Sequence, residues 1–330
     1  MLLVAVTLPG LESFALGECR AAGLEIGEVE DGWLEVRGDP ERLEAAGTIR
    51  ALAEPVWIGE PTALPASLPH ASGLWFEGQL QNQRPRCEAV RDEVARLAGG
   101  ARLVAPSEPP GLLAILNRQG RLLVARALSW GLEHRRPYRV ALMARSLNPA
   151  MARALAMATR ARPGDRCCDP FCGSGTVLAE RALLGDCRLV GLDLDPRALD
   201  AAGRTLSGFA AQGWEVELVQ RDARATGLEA GSCEAVATNA PFGHRQGSAA
   251  DNASLYPAAM REAARILRPG GRLVLLTSDR RHLAQAARAC RTWLEPRSQV
   301  QTWLSGLLPT LAVYDRTRAR PPLAAEGSTQ

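Results

Sequence analysis

A chain of 330 residues with 46% apolar and 23% charged positions is neither disordered nor fibrous, and it is long enough to bury more than one core. No apolar run approaches the roughly 20 residues of a membrane span, and Met1-Leu2-Leu3-Val4-Ala5-Val6 lacks the basic flank of a secretory signal, so a cytoplasmic protein is expected. The net charge of +3 hides a division: residues 1–62 hold 4 Arg against 12 acids (−8), 63–150 hold 12 against 6 (+6), and 151–330 hold 23 against 18 (+5).

In chain order, Leu11 to Ala22 reads as a helix and Trp33 to Arg37 alternates like a strand. Glu88 to Leu97 has helical spacing, whereas Leu112 to Leu116 and Leu122 to Leu128 are apolar runs bounded by turn signals. Short mixed elements of this kind predict one or two small α+β modules. Between Arg118 and Arg145, seven arginines, including Arg135, Arg136 and Arg139, face the single acid Glu133, with Trp130, His134 and Tyr138 interleaved. That mixture suits phosphate contacts with stacking surfaces, as single-stranded or terminal RNA requires. An acidic leader before a basic middle also suggests modules with different partners. All 39 basic residues are arginine, so any anion site must be built from planar guanidinium forks. The eight cysteines are too sparse for a disulfide scaffold and lack paired zinc-site spacing. They are expected as reduced thiols in small core positions, with no metal.

From about residue 147 the pattern becomes regular. Asn148-Pro149 forms a cap and first residue for a helix over Ala150 to Arg160. Strand-like runs recur at Arg166 to Cys168, Leu189 to Leu192, Val216 to Val219, Ala235 to Ala237 and Leu273 to Leu276, mostly separated by helical stretches. This alternation predicts a mostly parallel, doubly wound α/β sheet. Gln299 to Leu304 and Leu311 to Tyr314, around Gly306 and Pro309, predict an antiparallel hairpin at its edge.

The strongest local motif is Asp169-Pro170-Phe171-Cys172-Gly173-Ser174-Gly175-Thr176, between a strand and the helix predicted over Val177 to Leu184. Its glycines allow a tight turn and close ligand approach, and the helix start offers free N–H donors to a phosphate or a carboxylate. Without lysine it is no Walker loop, and the dinucleotide pattern G-x-G-x-x-G is not met. Some 20 residues on, Gly191-Leu192-Asp193-Leu194-Asp195-Pro196 ends the second strand, where an acid commonly binds both ribose hydroxyls of a nucleoside. Asp193 is the choice for that task, since Asp195 before Pro196 suits a helix cap. Gln220-Arg221-Asp222-Ala223 offers Asp222 either as an acceptor for an adenine amino group or as an ordinary loop carboxylate.

Thr238-Asn239-Ala240-Pro241-Phe242-Gly243-His244-Arg245 ends the fourth strand, and Leu267-Arg268-Pro269-Gly270-Gly271 follows at the spacing such a domain requires. With the glycine turn, these resemble the class I S-adenosylmethionine-dependent amino-methyltransferases of the Asp/Asn-Pro-Pro-Tyr/Phe type. The resemblance implies a catalytic set of Asn239, Ala240, Pro241 and Phe242, in which Asn239 and the Ala240 carbonyl accept hydrogen bonds from an exocyclic amine and Phe242 stacks on the base. It also implies a cofactor site of Asp169, Phe171, Gly173, Ser174, Gly175, Thr176, Asp193, Leu194, Asp222, Ala223 and Asn239. Ala240 departs from the first proline of the pattern, and a degenerate RNA-binding protein is the alternative that this departure motivates.

Adding Arg136-Pro137-Tyr138-Arg139, Ser146-Leu147-Asn148-Pro149 and Thr7-Leu8-Pro9-Gly10-Leu11-Glu12, the chain is similar to the THUMP-domain tRNA guanine-N2-methyltransferases. That similarity implies a ferredoxin-like leader over 1–62, a THUMP-like RNA-binding module over 63–145 and a Rossmann-like, seven-stranded methyltransferase domain over 146–330. It further implies S-adenosylmethionine as cofactor and methylation of guanosine N2 in a tRNA held by its acceptor end, the chain acting as a monomer. Arg135, Arg136, Arg139 and Arg245 are the candidate RNA contacts. A ribosomal-RNA guanine-N2-methyltransferase is the alternative within the same chemistry.

Overall fold

The computed structural model describes residues 1–320 apart from 44–45, 81–82, 106, 133–134, 142, 144–145, 243–248 and 305–306. The chain divides into two compact units, Met1–Arg135 and Arg136–Gln330.

The first unit runs β1 (Leu2–Val6), α1 (Glu12–Ala21), β2 (Glu25–Glu30), β3 (Trp33–Arg37), β4 (Ala51–Gly59), β5 (Gly73–Gly78), α2 (Arg84–Leu97), β6 (Arg102–Leu103), β7 (Leu112–Leu116) and β8 (Leu122–Trp130). All eight strands lie in one sheet, in the order β2-β3-β1-β4-β8-β7-β5-β6. The helix read at Leu11 to Ala22 is α1, and the alternating Trp33 to Arg37 is β3. The helical spacing from Glu88 is the interior of α2, which starts at Arg84 with Pro85 in its first turn. Cys19 and Ala15 of α1 pack on Leu3, Leu34 and Val36, while Cys87 and Val94 of α2 pack on Leu74, Leu112 and Val124. The antiparallel pairing of β4 with β8, from Ala51↔Trp130 to Gly59↔Leu122, carries the sheet across residue 62. Strands from 1–62 and from 63–145 therefore share one hydrogen-bonded layer.

The second unit runs α3 (Pro149–Ala158), β9 (Arg166–Asp169), α4 (Thr176–Ala182), β10 (Arg188–Asp193), α5 (Pro196–Ala211), β11 (Val216–Gln220), β12 (Cys233–Asn239), α6 (Ala249–Ile266), β13 (Leu267–Thr277), α7 (Arg280–Ala289), β14 (Leu294–Gln301) and β15 (Thr310–Arg316). Its seven strands are ordered β11-β10-β9-β12-β13-β15-β14. The first five are parallel, and β15 is antiparallel to both neighbours. This is the doubly wound sheet with an antiparallel edge that the spacing predicts. The inner strands read as unbroken apolar runs because both faces are covered: Met260, Ala264 and Leu283 lie on one side, and Leu178, Ala202 and Leu206 on the other. Asn148 caps α3 by accepting the Ala150 amide at 2.9 Å, with Pro149 as the first helical residue.

Chain order reverses at β9, since β10 and β11 follow on one side and β12 and β13 on the other. The crevice outside the carboxyl ends of strands at such a switch point is where this architecture binds ligands. All eight cysteines are buried and free. Among the described residues no cluster of His, Cys, Asp and Glu could hold a metal, and no helix is long and apolar enough to cross a membrane.

Candidate active site

β9 and β12 pair in parallel, with Ala235↔Cys167 and Val236↔Cys168 in register, so the loops that follow them leave the same edge side by side. A buried contact ties them together. Asp169, 1% exposed, accepts the Thr238 hydroxyl at 2.6 Å and the Phe171 amide at 3.1 Å on the same oxygen. Burial pushes the Asp169 carboxyl up to about 7, against the lowering effect of those two bonds. After it, Gly173 and Gly175 take left-handed φ values of 51° and 77°. A Cβ at Gly175 would lie 3.3 Å from Ala202 of α5, whereas one at Gly173 would meet nothing. Gly175 thus lets α4 and α5 approach, and Gly173 leaves backbone open to a ligand. Ser174 is buried and reaches Ser146 across 2.7 Å.

The loop after β10 is oriented by its own acid. Asp193 accepts the Gly173 amide at 3.0 Å on one oxygen and the Asp195 amide at 3.0 Å on the other. Leu194 beside it is 61% exposed, an apolar side chain held open to solvent. Asp195 caps α5, accepting the Arg197 amide at 2.9 Å, so the helix-cap alternative describes its geometry. At the end of β11, Asp222 meets the Arg224 guanidinium as a fork at 2.6 to 3.0 Å. That fork holds the Asp222 carboxyl below its ordinary range. Gln220 donates to the Leu194 carbonyl at 2.9 Å, joining the ends of β10 and β11, a contact with no sequence signal. Ala223 is buried.

Asn239 closes β12. Its Oδ1 is buried and has no hydrogen-bond partner. Ala240 is 2% exposed and donates its amide to the Leu276 carbonyl at 3.1 Å. The Pro241 carbonyl accepts the Tyr256 hydroxyl at 2.6 Å, and Phe242 is half-buried. Gly243, His244 and Arg245 lie outside the described residues.

The candidate RNA residues are not alike. Arg135 is exposed and Arg139 partly so. The Arg136 side chain is only 8% exposed, and its Nε donates to the fully buried Glu180 at 3.0 Å. Tyr138 is 6% exposed and donates its hydroxyl to the same Glu180 oxygen at 2.6 Å. Burial in this node runs against the RNA contact expected of Arg136 and the stacking surface expected of Tyr138. Both residue types occur in either setting, and composition does not report burial.

The sheet order, the glycine turn after β9, the acid ending β10 and Asn-Ala-Pro-Phe following β12 together define a class I methyltransferase fold. The chain belongs to the UPF0020 family, the RMKL-like methyltransferase domain, whose family model matches residues 136–302, beginning where the second unit begins. It is 35% identical over 137 residues to the Bos taurus tRNA (guanine(6)-N(2))-methyltransferase THUMP3, covering 38% of this chain and 27% of that one. It is 37% identical over 134 residues to the tRNA (guanine(6)-N2)-methyltransferase of Thermus thermophilus, covering 40% and 39% of the two. These alignments span well under half the length of the relatives. The crystal structure of TrmN from Thermus thermophilus shares the fold with a TM-score of 0.68 at 24% identity, over 96% of this chain and 99% of that one. SMU.472, crystallised with SAH, does so with a TM-score of 0.65 at 16% identity, over 97% and 99%.

Proposed function

We propose that the chain is an S-adenosylmethionine-dependent tRNA methyltransferase acting on the exocyclic N2 of a guanosine. The observation that carries this reading is the Asn239 Oδ1, a buried acceptor with no partner at the carboxyl end of β12. Leaving such an atom unpaired costs roughly 1–3 kcal/mol, so the site holds an acceptor ready for a donor that arrives with the substrate. An exocyclic amine is such a donor. The two relatives named tRNA guanine-N2-methyltransferases, at 35% and 37% identity, support guanosine N2 in tRNA as its source.

The loops fit a nucleoside methyl donor. Open space at Gly173, the oriented Asp193 carboxylate, the exposed Leu194 and the Asp222 carboxylate suit its amino-acid end, ribose, base face and base amine in turn. When bound there, S-adenosylmethionine supplies an electrophilic methyl group on a sulfonium. The chain's own residues do the rest. The lone pair of a guanine amine is delocalised into the ring, and acceptors on its two hydrogens, Asn239 Oδ1 and the Ala240 carbonyl, favour a pyramidal nitrogen aimed outward. No strong base is needed: once the N–CH3 bond has formed at the expense of the donor's S–CH3 bond, the nitrogen would be an acidic ammonium whose surplus proton passes to solvent. The rate gain comes from alignment and from dipoles facing the positive charge that develops on nitrogen. The Phe242 ring replaces the stacking that the base loses when it is flipped out. Residues 63–145 act as the THUMP-like module holding the acceptor end, with Arg135, Arg139 and Arg245 as the RNA contacts.

Incubation with labelled methyl donor and, in parallel, unmodified tRNA or ribosomal RNA, followed by digestion to nucleosides, tests the assignment. N2-methylguanosine is the expected product. Label in ribosomal RNA alone supports the ribosomal alternative, and donor binding without transfer supports a degenerate binder. Asn239→Ala should cut transfer by about 100-fold or more while leaving donor affinity within a few-fold. Full turnover in that variant would remove Asn239 from the mechanism.

A further inference from the structure

The acceptor loop lacks the ring that a proline at position 240 would provide, and other contacts hold it in place. The Ala240 amide, a donor that proline does not have, reaches the Leu276 carbonyl and extends the β12–β13 ladder beyond the Asn239↔Leu276 pair. The next carbonyl, that of Pro241, takes two donors from one face of α6: the Tyr256 hydroxyl at 2.6 Å and, one turn earlier, Asn252 Nδ2 at 3.4 Å. Both donors are fixed from behind. The Thr277 hydroxyl lies 2.5 Å from that of Tyr256 and accepts the Asp279 amide at 2.9 Å. Since the single Tyr256 proton goes to Pro241, Thr277 is the donor between the two hydroxyls. The second amide hydrogen of Asn252 goes to Asp279 Oδ2 at 3.0 Å, an oxygen that also meets His282 Nδ1 at 2.7 Å. Asn252, Tyr256 and Thr277 are each at most 2% exposed, so water does not compete for these bonds. Burial also pushes the Tyr256 hydroxyl up to about 12, which keeps it a donor throughout the working pH range.

Resting on the methyltransferase reading above, we propose that Tyr256 and Asn252 are positioning residues for methyl transfer. They pin the Pro241 carbonyl toward α6, and thereby hold the Asn239–Phe242 backbone in the one conformation that presents Asn239 Oδ1 and the Ala240 carbonyl to the amine. Neither side chain touches the reacting atoms. They supply the stiffness that the family's first proline would otherwise give.

Tyr256→Phe removes only the hydroxyl and keeps the ring in the core. Steady-state kinetics on tRNA should show kcat reduced about tenfold, with KM for tRNA and the affinity for S-adenosylhomocysteine unchanged within twofold. Thr277→Val should reproduce the defect, and Thr277→Ser, which keeps the supporting hydroxyl, should restore the wild-type rate. Amide hydrogen exchange read on the peptide containing residues 239–242 should rise about five- to tenfold in Tyr256→Phe, as expected for one lost hydrogen bond of about 1 kcal/mol. Unchanged kcat in Tyr256→Phe, where the wild type methylates tRNA, overturns the positioning role alone. So does a rate loss matched by equal losses in melting temperature and S-adenosylhomocysteine affinity. If the wild type transfers no methyl group to guanosine N2, the functional assignment falls instead. Hydrogen exchange still decides the clamp, since unchanged exchange at 239–242 overturns it whatever the substrate.

Discussion

Asp169 joins the ends of β9 and β12 through one oxygen, and its environment makes it a pH-dependent element of stability. Its folded value of about 7 lies above the roughly 3.9 of an unfolded aspartate. Between those values the folded state holds a proton that the unfolded state has released, so stability falls as pH rises through that window and levels off above it. Asp169→Asn keeps an acceptor for Thr238 and Phe171 but cannot ionise. Denaturant unfolding of both proteins at pH 5, 6, 7 and 8 should show the variant gaining on the wild type by up to about 1.4 kcal/mol per pH unit, with no further gain above 7. Parallel profiles would place the charge of Asp169 outside the stability balance. At this scale the positions of the candidate groups were legible, because Asp169, Asp193, Asp195 and Asn239 are each a defined chemical group at or just beyond the end of a readable strand. The Arg224 fork on Asp222 and the Tyr256 and Asn252 grip on Pro241 were not. Such contacts depend on where a helix face lands, and no local spacing records that.

Among the elements, α4 has only seven residues and carries a fully buried acid, Glu180. Arg136 and Tyr138, from the segment before α3, meet it, and Arg153 of α3 lies 3.8 Å away. Burial raises the Glu180 carboxyl, and the cations around it work the other way. The node anchors α3 and its approach to the helix that follows the glycine turn. Arg136→Ala should therefore destabilise the second unit by roughly 3 kcal/mol, the usual cost of leaving a buried charge short of its partner. Equilibrium unfolding checks this. Loss of RNA affinity at unaltered stability would return Arg136 to the RNA surface. Elements were legible where burial imposes a period and obscure where it does not. The inner strands of the second unit read directly, whereas β2 (Glu25–Glu30) and β14 (Leu294–Gln301) are almost wholly solvent-facing edge strands whose polar sequences show no alternation. The sequence pattern predicts the C-terminal hairpin only from Gln299, yet β14 begins at Leu294 for this reason. In β4 the register shifts between Pro55 and Trp57, which breaks the pattern from within.

For the molecule as a whole, the charge division along the sequence has a structural explanation. The acidic leader and the basic middle share one sheet, and several of their charges face each other: Arg118 with the buried Asp31, Arg121 with Glu30 at 3.4 Å and Arg126 with Glu54 at 3.2 Å. These pairings link residues some 70 to 90 positions apart, and sequence windows cannot see them. Counted by structural unit, Met1–Arg135 holds 13 Arg and 18 acids for a net −5, and Arg136–Gln330 holds 26 Arg and 18 acids for +8. The field that attracts a polyanion therefore belongs mainly to the second unit, and much of the basic middle is neutralised within the first. Full-length variants separate the two populations. Arg121→Ala and Arg126→Ala should leave the salt dependence of tRNA binding unchanged, because each removes a cation already facing a carboxylate. Arg135→Ala and Arg139→Ala should each flatten the slope of log affinity against log salt by about 0.7 to 0.9, the signature of one lost phosphate contact. A slope that falls with Arg121 and Arg126 but not with the second pair would move the RNA track onto the first unit's sheet.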